Sequence, residues 1–148
     1  MSAAADSIDS VVIAAQAADA VKAMDIVAFD VSVPVGITDA FLVASGASDR
    51  QVRSIADEIE KQLYLQKHLK PVDREGAEEG RWVLLDYGDF VAHVMLEETR
   101  KFYDLERLWK DCPVIDLHLE HPEASSKRVE QGESQQIQDS GGMIVEGA

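Results

Sequence analysis

The stretch Arg81-Trp82-Val83-Leu84-Leu85-Asp86-Tyr87-Gly88-Asp89-Phe90-Val91-Ala92-His93-Val94-Met95-Leu96 constrains the fold more than any other part of the chain. Two apolar runs rich in β-branched and aromatic residues flank Gly88-Asp89, the pattern of a β-hairpin. Side chains alternate along a strand, so Trp82, Leu84 and Asp86 share one face, and Val83, Leu85 and Tyr87 the other. Apolar residues on both faces belong to strands covered on both sides. The pair is therefore expected at the centre of a sheet with helices packed around it. Asp86, Tyr87 and Asp89 gather at the turn and present carboxylates and a phenol at the sheet rim.

The 148 residues suffice for one domain with a core, and 46% hydrophobic content argues against wholesale disorder. No apolar run approaches the ~18 residues that a membrane span needs. The N-terminus lacks a basic leader region and Asp9 interrupts its apolar stretch, so no secretory signal is expected. A single cysteine, Cys112, excludes an internal disulfide, and the cytoplasm is the expected compartment. The net charge of −14 argues against a broad phosphate-neutralising surface for nucleic acid. It suits docking on a basic protein, because complementary fields steer association.

Ahead of the hairpin, Ser7 to Met24 reads as a helix capped by Asp6 or Ser7, with Ile8, Val11, Val12, Ala15, Ala18 and Val21 at helical spacing. Ile26–Val31 and Ala40–Ala44 read as strands, joined through a connection holding Pro34 and Gly36. Ser48 and Gln51 form a capping-box pair for a helix to Leu65, whose buried stripe is Val52, Ile55, Ala56, Ile59 and Leu63. Pro71-Val72-Asp73 is placed as an edge strand. After Leu96 a third helix is expected over Thr99–Lys110, with Phe102, Leu105, Leu108 and Trp109 on its apolar face, then a short last strand over Val114–Leu119. The domain is expected to span residues 1–120. Residues 121–148 are dominated by Glu, Gln, Ser and Gly, too polar to offset the entropy of ordering, and are expected to be a disordered acidic tail.

Few motifs carry chemistry. Ser45-Gly46-Ala47-Ser48 sits at a strand-to-helix turn where backbone N–H groups can hold a phosphate, but it lacks GxGxxG and a Walker lysine. A turn glycine followed by a helix cap accounts for it. His93 lies mid-strand and reads as a buried, hydrogen-bonded histidine. His68, His118 and His121 have no partners at metal-ligand spacing, so no zinc site is assigned, and Cys112 reads as structural. Asp86 and Asp89 stand three apart across a turn that itself favours Asp and Gly. An acid–base or metal role for them competes with a protein interface anchored by Trp82 and Tyr87.

Three segments carry a resemblance. Asp39 to Gly46 with Ser48-Asp49-Arg50-Gln51-Val52, then Gly80 to Asp89 with His93-Val94, then Phe102 to Trp109 are similar, in that order, to the ribosomal silencing factor family, RsfS or Iojap. The resemblance runs roughly from Ile8 to Leu119. It implies an α/β domain with a mixed sheet flanked by helices and a nucleotidyltransferase-like topology. It further implies a translation repressor with no cofactor, which docks on the large ribosomal subunit through ribosomal protein uL-fourteen and blocks subunit joining when nutrients are scarce. The DxD or ExD pair of nucleotidyltransferases is missing after Ser45-Gly46, which speaks against nucleotidyl transfer.

The expected docking residues are Trp82, Leu84 and Tyr87 for apolar contact, with Asp86 and Asp89 supplying charge. Alternation keeps Tyr87 off the face of Trp82 and Leu84 unless the strand bends. A homodimer is expected for the free protein, from the apolar surface of Phe102, Leu105, Leu108 and Trp109 and from the edge strand after Pro113. The competing reading is a nucleotide-binding or nucleotidyl-transferring enzyme using Ser45, Gly46, Asp86 and Asp89.

Overall fold

The computed structural model describes residues 3–33 and 35–119, and the expectation for residues 121–148 lies outside them. Five strands form one mixed sheet in the order β1-β2-β5-β4-β3, namely β1 (Met24–Asp30), β2 (Ala40–Gly46), β3 (Asp73–Glu75), β4 (Trp82–Asp86) and β5 (Phe90–Leu96). β2 and β5 pair in parallel, and the other neighbours are antiparallel. A parallel pair needs a long crossover. Here the connection holds helix α2 (Asp49–Lys67), β3 and β4.

Helices α1 (Ala5–Ala20) and α2 pack on one face of the sheet. Alternate strand residues meet them: Ile26 and Ala28, Ala40, Leu42 and Ala44, Val83 and Leu85, then Phe90, Ala92 and Val94. Val11, Ala14, Ala15 and Ala18 of α1 are buried, and their small side chains let the helix lie close. The expected stripe of α2 is the buried one, and Ser48 caps it by accepting from the N–H of Gln51 at 3.1 Å. Gln51 returns a bond one residue earlier than expected, to the N–H of Ala47 at 2.7 Å. Lys67 ties the two helices together through Asp6 at 2.7 Å and Ser10 at 2.8 Å.

α1 begins earlier than the sequence implies, after Ala4, and neither Asp6 nor Ser7 serves as the side-chain acceptor that caps it. Asp39, next to β2, supplies the acceptor instead, at 2.7 Å from Ser7 Oγ and 3.2 Å from the Ala4 N–H. Tertiary contact has replaced the local cap.

Two further expectations are corrected. The third helix is not continuous. α3 (Glu97–Tyr103) stops at Asp104, which adopts a left-handed conformation at φ 49°, and a 3-10 segment follows over Leu105–Trp109. The expected strand over Val114–Leu119 reduces to one bridge, Val114 with Phe29, after which Ile115 and Leu117 bury against the core. The hairpin does pair as expected, with β5 at the sheet centre and the short β3 at its edge. Gly76 sets the β3–β4 connection. Its φ is +81°, and a Cβ there would lie 2.0 Å from the carbonyl oxygen of Trp82, so only glycine fits.

Candidate docking face

Register places the second face of the sheet in rows. One row runs Phe29, Phe41, Val91, Asp86 and Asp73, and the next Val27, Val43, His93, Leu84 and Glu75. A third holds Ser45, Met95 and Trp82. Aromatic and aliphatic residues therefore fill the β1–β5 side, and carboxylates the β3–β4 corner. Trp82, Leu84 and Asp86 are half-buried, where residues of a sheet covered on both faces would be closed off.

α3 and the 3-10 segment cover part of this face. Arg100, 6% exposed, anchors them by donating to Ser45 Oγ at 2.7 Å and to Glu106 at 2.9 Å, with Asp25 at 3.4 Å. Trp109 packs edge-on against Phe41 with centroids 5.1 Å apart, and Phe41 in turn meets His93 at 5.2 Å. Trp82 donates its indole N–H to His93 Nδ1 at 3.1 Å and stands 5.1 Å from the Tyr103 ring. Burial pushes the His93 imidazole down to about 4, so it is neutral near pH 7.

The β3–β4 corner is acidic and unpaired. Asp73 and Asp86 face each other across the strands, and the carboxyl of Glu75 is raised by its hydrogen bond to Asp73 and by the charge there. Arg74 points to the helix side, where it is held by Asp57 and Glu60. Among the described residues no cation pairs with Asp73, Glu75 or Asp86. Like charges gathered on one corner favour a basic partner.

The residues expected to act together are divided. Trp82, Leu84 and Asp86 lie side by side on the second face. Asp86 also accepts from the Gly88 N–H at 2.8 Å, so it holds the turn, while the Asp89 side chain is exposed without a partner among the described residues. Tyr87 lies on the helix side, 9% exposed and stacked on Phe90 at 4.9 Å, and burial raises its phenol above the ordinary value. Phe41, Val91, Asp73, Glu75 and Tyr103 join the face without having been singled out. Only cross-strand register and the fold-back of α3 bring them there, and neither shows as a local pattern.

The enzyme residues are not assembled. Ser45 is 2% exposed and engaged by Arg100, and the backbone of Gly46 sits against Val52 and Gln51 of α2. Ser45 lies beside Met95, in the row that continues to Trp82, whereas Asp86 lies beside Val91. Four residues of strand separate those positions, about 13 Å at ~3.3 Å per residue.

The model of the family described as ribosomal silencing factor during starvation matches residues 4–140. The chain belongs to the RsfS family. An RsfS protein of Bacillus subtilis is 44% identical over 105 residues, which is 71% of this chain and 88% of that protein. A mouse protein named mitochondrial assembly of ribosomal large subunit protein 1 is 37% identical over 93 residues, 60% of this chain and 40% of its own length. A crystal structure of a Chromobacterium violaceum protein superimposes with a TM-score of 0.66 at 35% identity, covering 77% of this chain and 95% of the other. Membership gives the RsfS chain a ribosome-associated silencing role. No helix among the described residues is long and apolar enough to cross a membrane.

Proposed function

We propose that the protein represses translation by binding the large ribosomal subunit through ribosomal protein uL-fourteen, so that its bulk prevents the small subunit from joining when nutrients are limiting. The observation that carries this reading is the half-open second face, where Trp82 and Leu84 stand beside the unpaired carboxylates of Asp73, Glu75 and Asp86. Trp82 and Leu84 supply apolar contact, and Asp86 and Asp89 meet basic side chains. Truncating such an anchor typically costs ~2 kcal/mol of binding or more. Tyr87, on the helix side, supports the hairpin from below.

The mechanism is steric. It calls for no cofactor and no catalytic group, and it operates in the cytoplasm where the subunits are. When free, the protein pairs with a second copy through the exposed Phe102 and Leu108, which a ribosome-bound molecule frees or covers differently. Sedimentation of the purified protein with isolated large subunits, isolated small subunits and assembled ribosomes tests the reading. Co-migration with free large subunits alone is expected. Co-migration only with assembled ribosomes, or with none of the three, overturns it.

A further inference from the structure

The start of β4 and the exposed side of α3 enclose a depression of about 640 Å³ at the end of the second face away from Asp86. Three rings line it. Trp82 and Tyr103 have centroids 5.1 Å apart with planes tilted by 54°, and Phe102 meets Tyr103 edge-on at 5.0 Å. Phe102 is 80% exposed and Tyr103 57%, a costly display of aromatic surface for a seven-residue helix. Glu79 and Glu98 flank the rings, and neither carboxylate forms a hydrogen bond or ion pair among the described residues. Arg81 lines the same depression but pairs with neither.

These features select the chemistry of an occupant. An apolar side chain would cover the rings while stripping water from two carboxylates that gain no partner. An anion would meet two like charges. A cation satisfies both parts, since ring faces attract positive charge and the carboxylates neutralise it. A guanidinium does so best, because it lies flat on a ring and directs its N–H donors sideways in a fixed fork.

We propose that this aromatic–acidic slot receives an arginine side chain of the protein partner. The inference rests on the docking reading and assigns Glu79, Glu98, Phe102 and Tyr103 to the interface as a second contact region beyond the hairpin rim. Aromatic residues paired with a desolvated arginine are the composition of interface hot spots.

Two measurements test it. In large-subunit binding, Glu79→Gln with Glu98→Gln should weaken affinity about tenfold and reduce its salt dependence, with the melting temperature unchanged. Tyr103→Leu should weaken it similarly, and Tyr103→Phe should retain it. Folded variants that all bind as the parent does overturn the slot and leave the docking reading standing. Independently of any ribosome, acetyl-arginine amide at tens of millimolar should shift the Trp82 indole N–H resonance, acetyl-norleucine amide should not, and the double Gln variant should lose the response. A response indifferent to the guanidinium or to the two carboxylates overturns the slot. Failure of the parent protein to bind large subunits while the arginine response persists overturns the docking reading instead.

Discussion

The indole of Trp82 donates a 3.1 Å hydrogen bond to Nδ1 of His93, across neighbouring strands and on the same face of the sheet. A half-buried residue of the candidate docking face is thereby fixed by a buried one. The bond requires Nδ1 to be an unprotonated acceptor, so the proton of the neutral ring sits on Nε2. That atom is buried with no acceptor among the described residues. The arrangement gives up one hydrogen bond in the interior to hold one indole at the surface.

Protonation of His93 destroys the acceptor, and this predicts a pH dependence of stability. Its folded value is about 4 and the ordinary value is 6.5. A histidine depressed by folding contributes stability that is complete above 6.5 and is lost as pH falls towards 4, because the unfolded chain takes the proton first. At ~1.4 kcal/mol per unit the loss amounts to about 3 kcal/mol at pH 4. In denaturant melts, the unfolding free energy of the parent protein should fall by about 3 kcal/mol more than that of His93→Leu between pH 7 and pH 4. Parallel curves would refute it.

Arg100→Met should cost about 2 kcal/mol or more, since it strands the Ser45 hydroxyl and the carboxylates of Glu106 and Asp25 while keeping the side chain's bulk. The same change should loosen α3 from the sheet. Amide exchange over Glu97–Tyr103 should quicken more than over α2.

Asp86 and Asp89 should separate under substitution. Asp89→Lys leaves the turn intact and should weaken large-subunit binding by an order of magnitude at unchanged melting temperature, through like-charge juxtaposition. Asp86→Lys removes the acceptor for the Gly88 N–H as well, and should lower both. Binding by the parent should weaken as salt rises, because rim charges act through a screened field. Titration at several salt concentrations checks all three.

Asp39→Ala should cost about 1 kcal/mol, the usual loss of a helix cap, even though Asp39 is far from α1 in sequence. Urea unfolding measures it, and Asp39→Asn should recover part of the loss.

Much of this architecture is written locally. The stripe of α2, the Ser48 cap and the alternation of β4 each depend on residues a few positions apart, and each can be read by eye. What escaped reading depends on distant partners. Asp39 serves a helix that starts at Ala5, far earlier in the chain. The expected third helix breaks at Asp104 so that Trp109 can turn back onto Phe41, which no periodicity announces. The candidate docking face was half legible: the alternation already set Tyr87 apart from Trp82 and Leu84, but Phe41, Val91 and Glu75 reach the face only through register with strands elsewhere in the sequence.

The pleat of β4 has a genetic consequence. Val83 and Leu85 are fully buried under the helices, while Trp82, Leu84 and Asp86 between them face outward. Changes at the first set open cavities under the helices and lower how much folded protein a cell holds, whereas changes at Leu84 remove little of the core and bear on the outward face. Adjacent codons thus answer to different selection, and a one-residue insertion within the strand would exchange the two sets at a stroke.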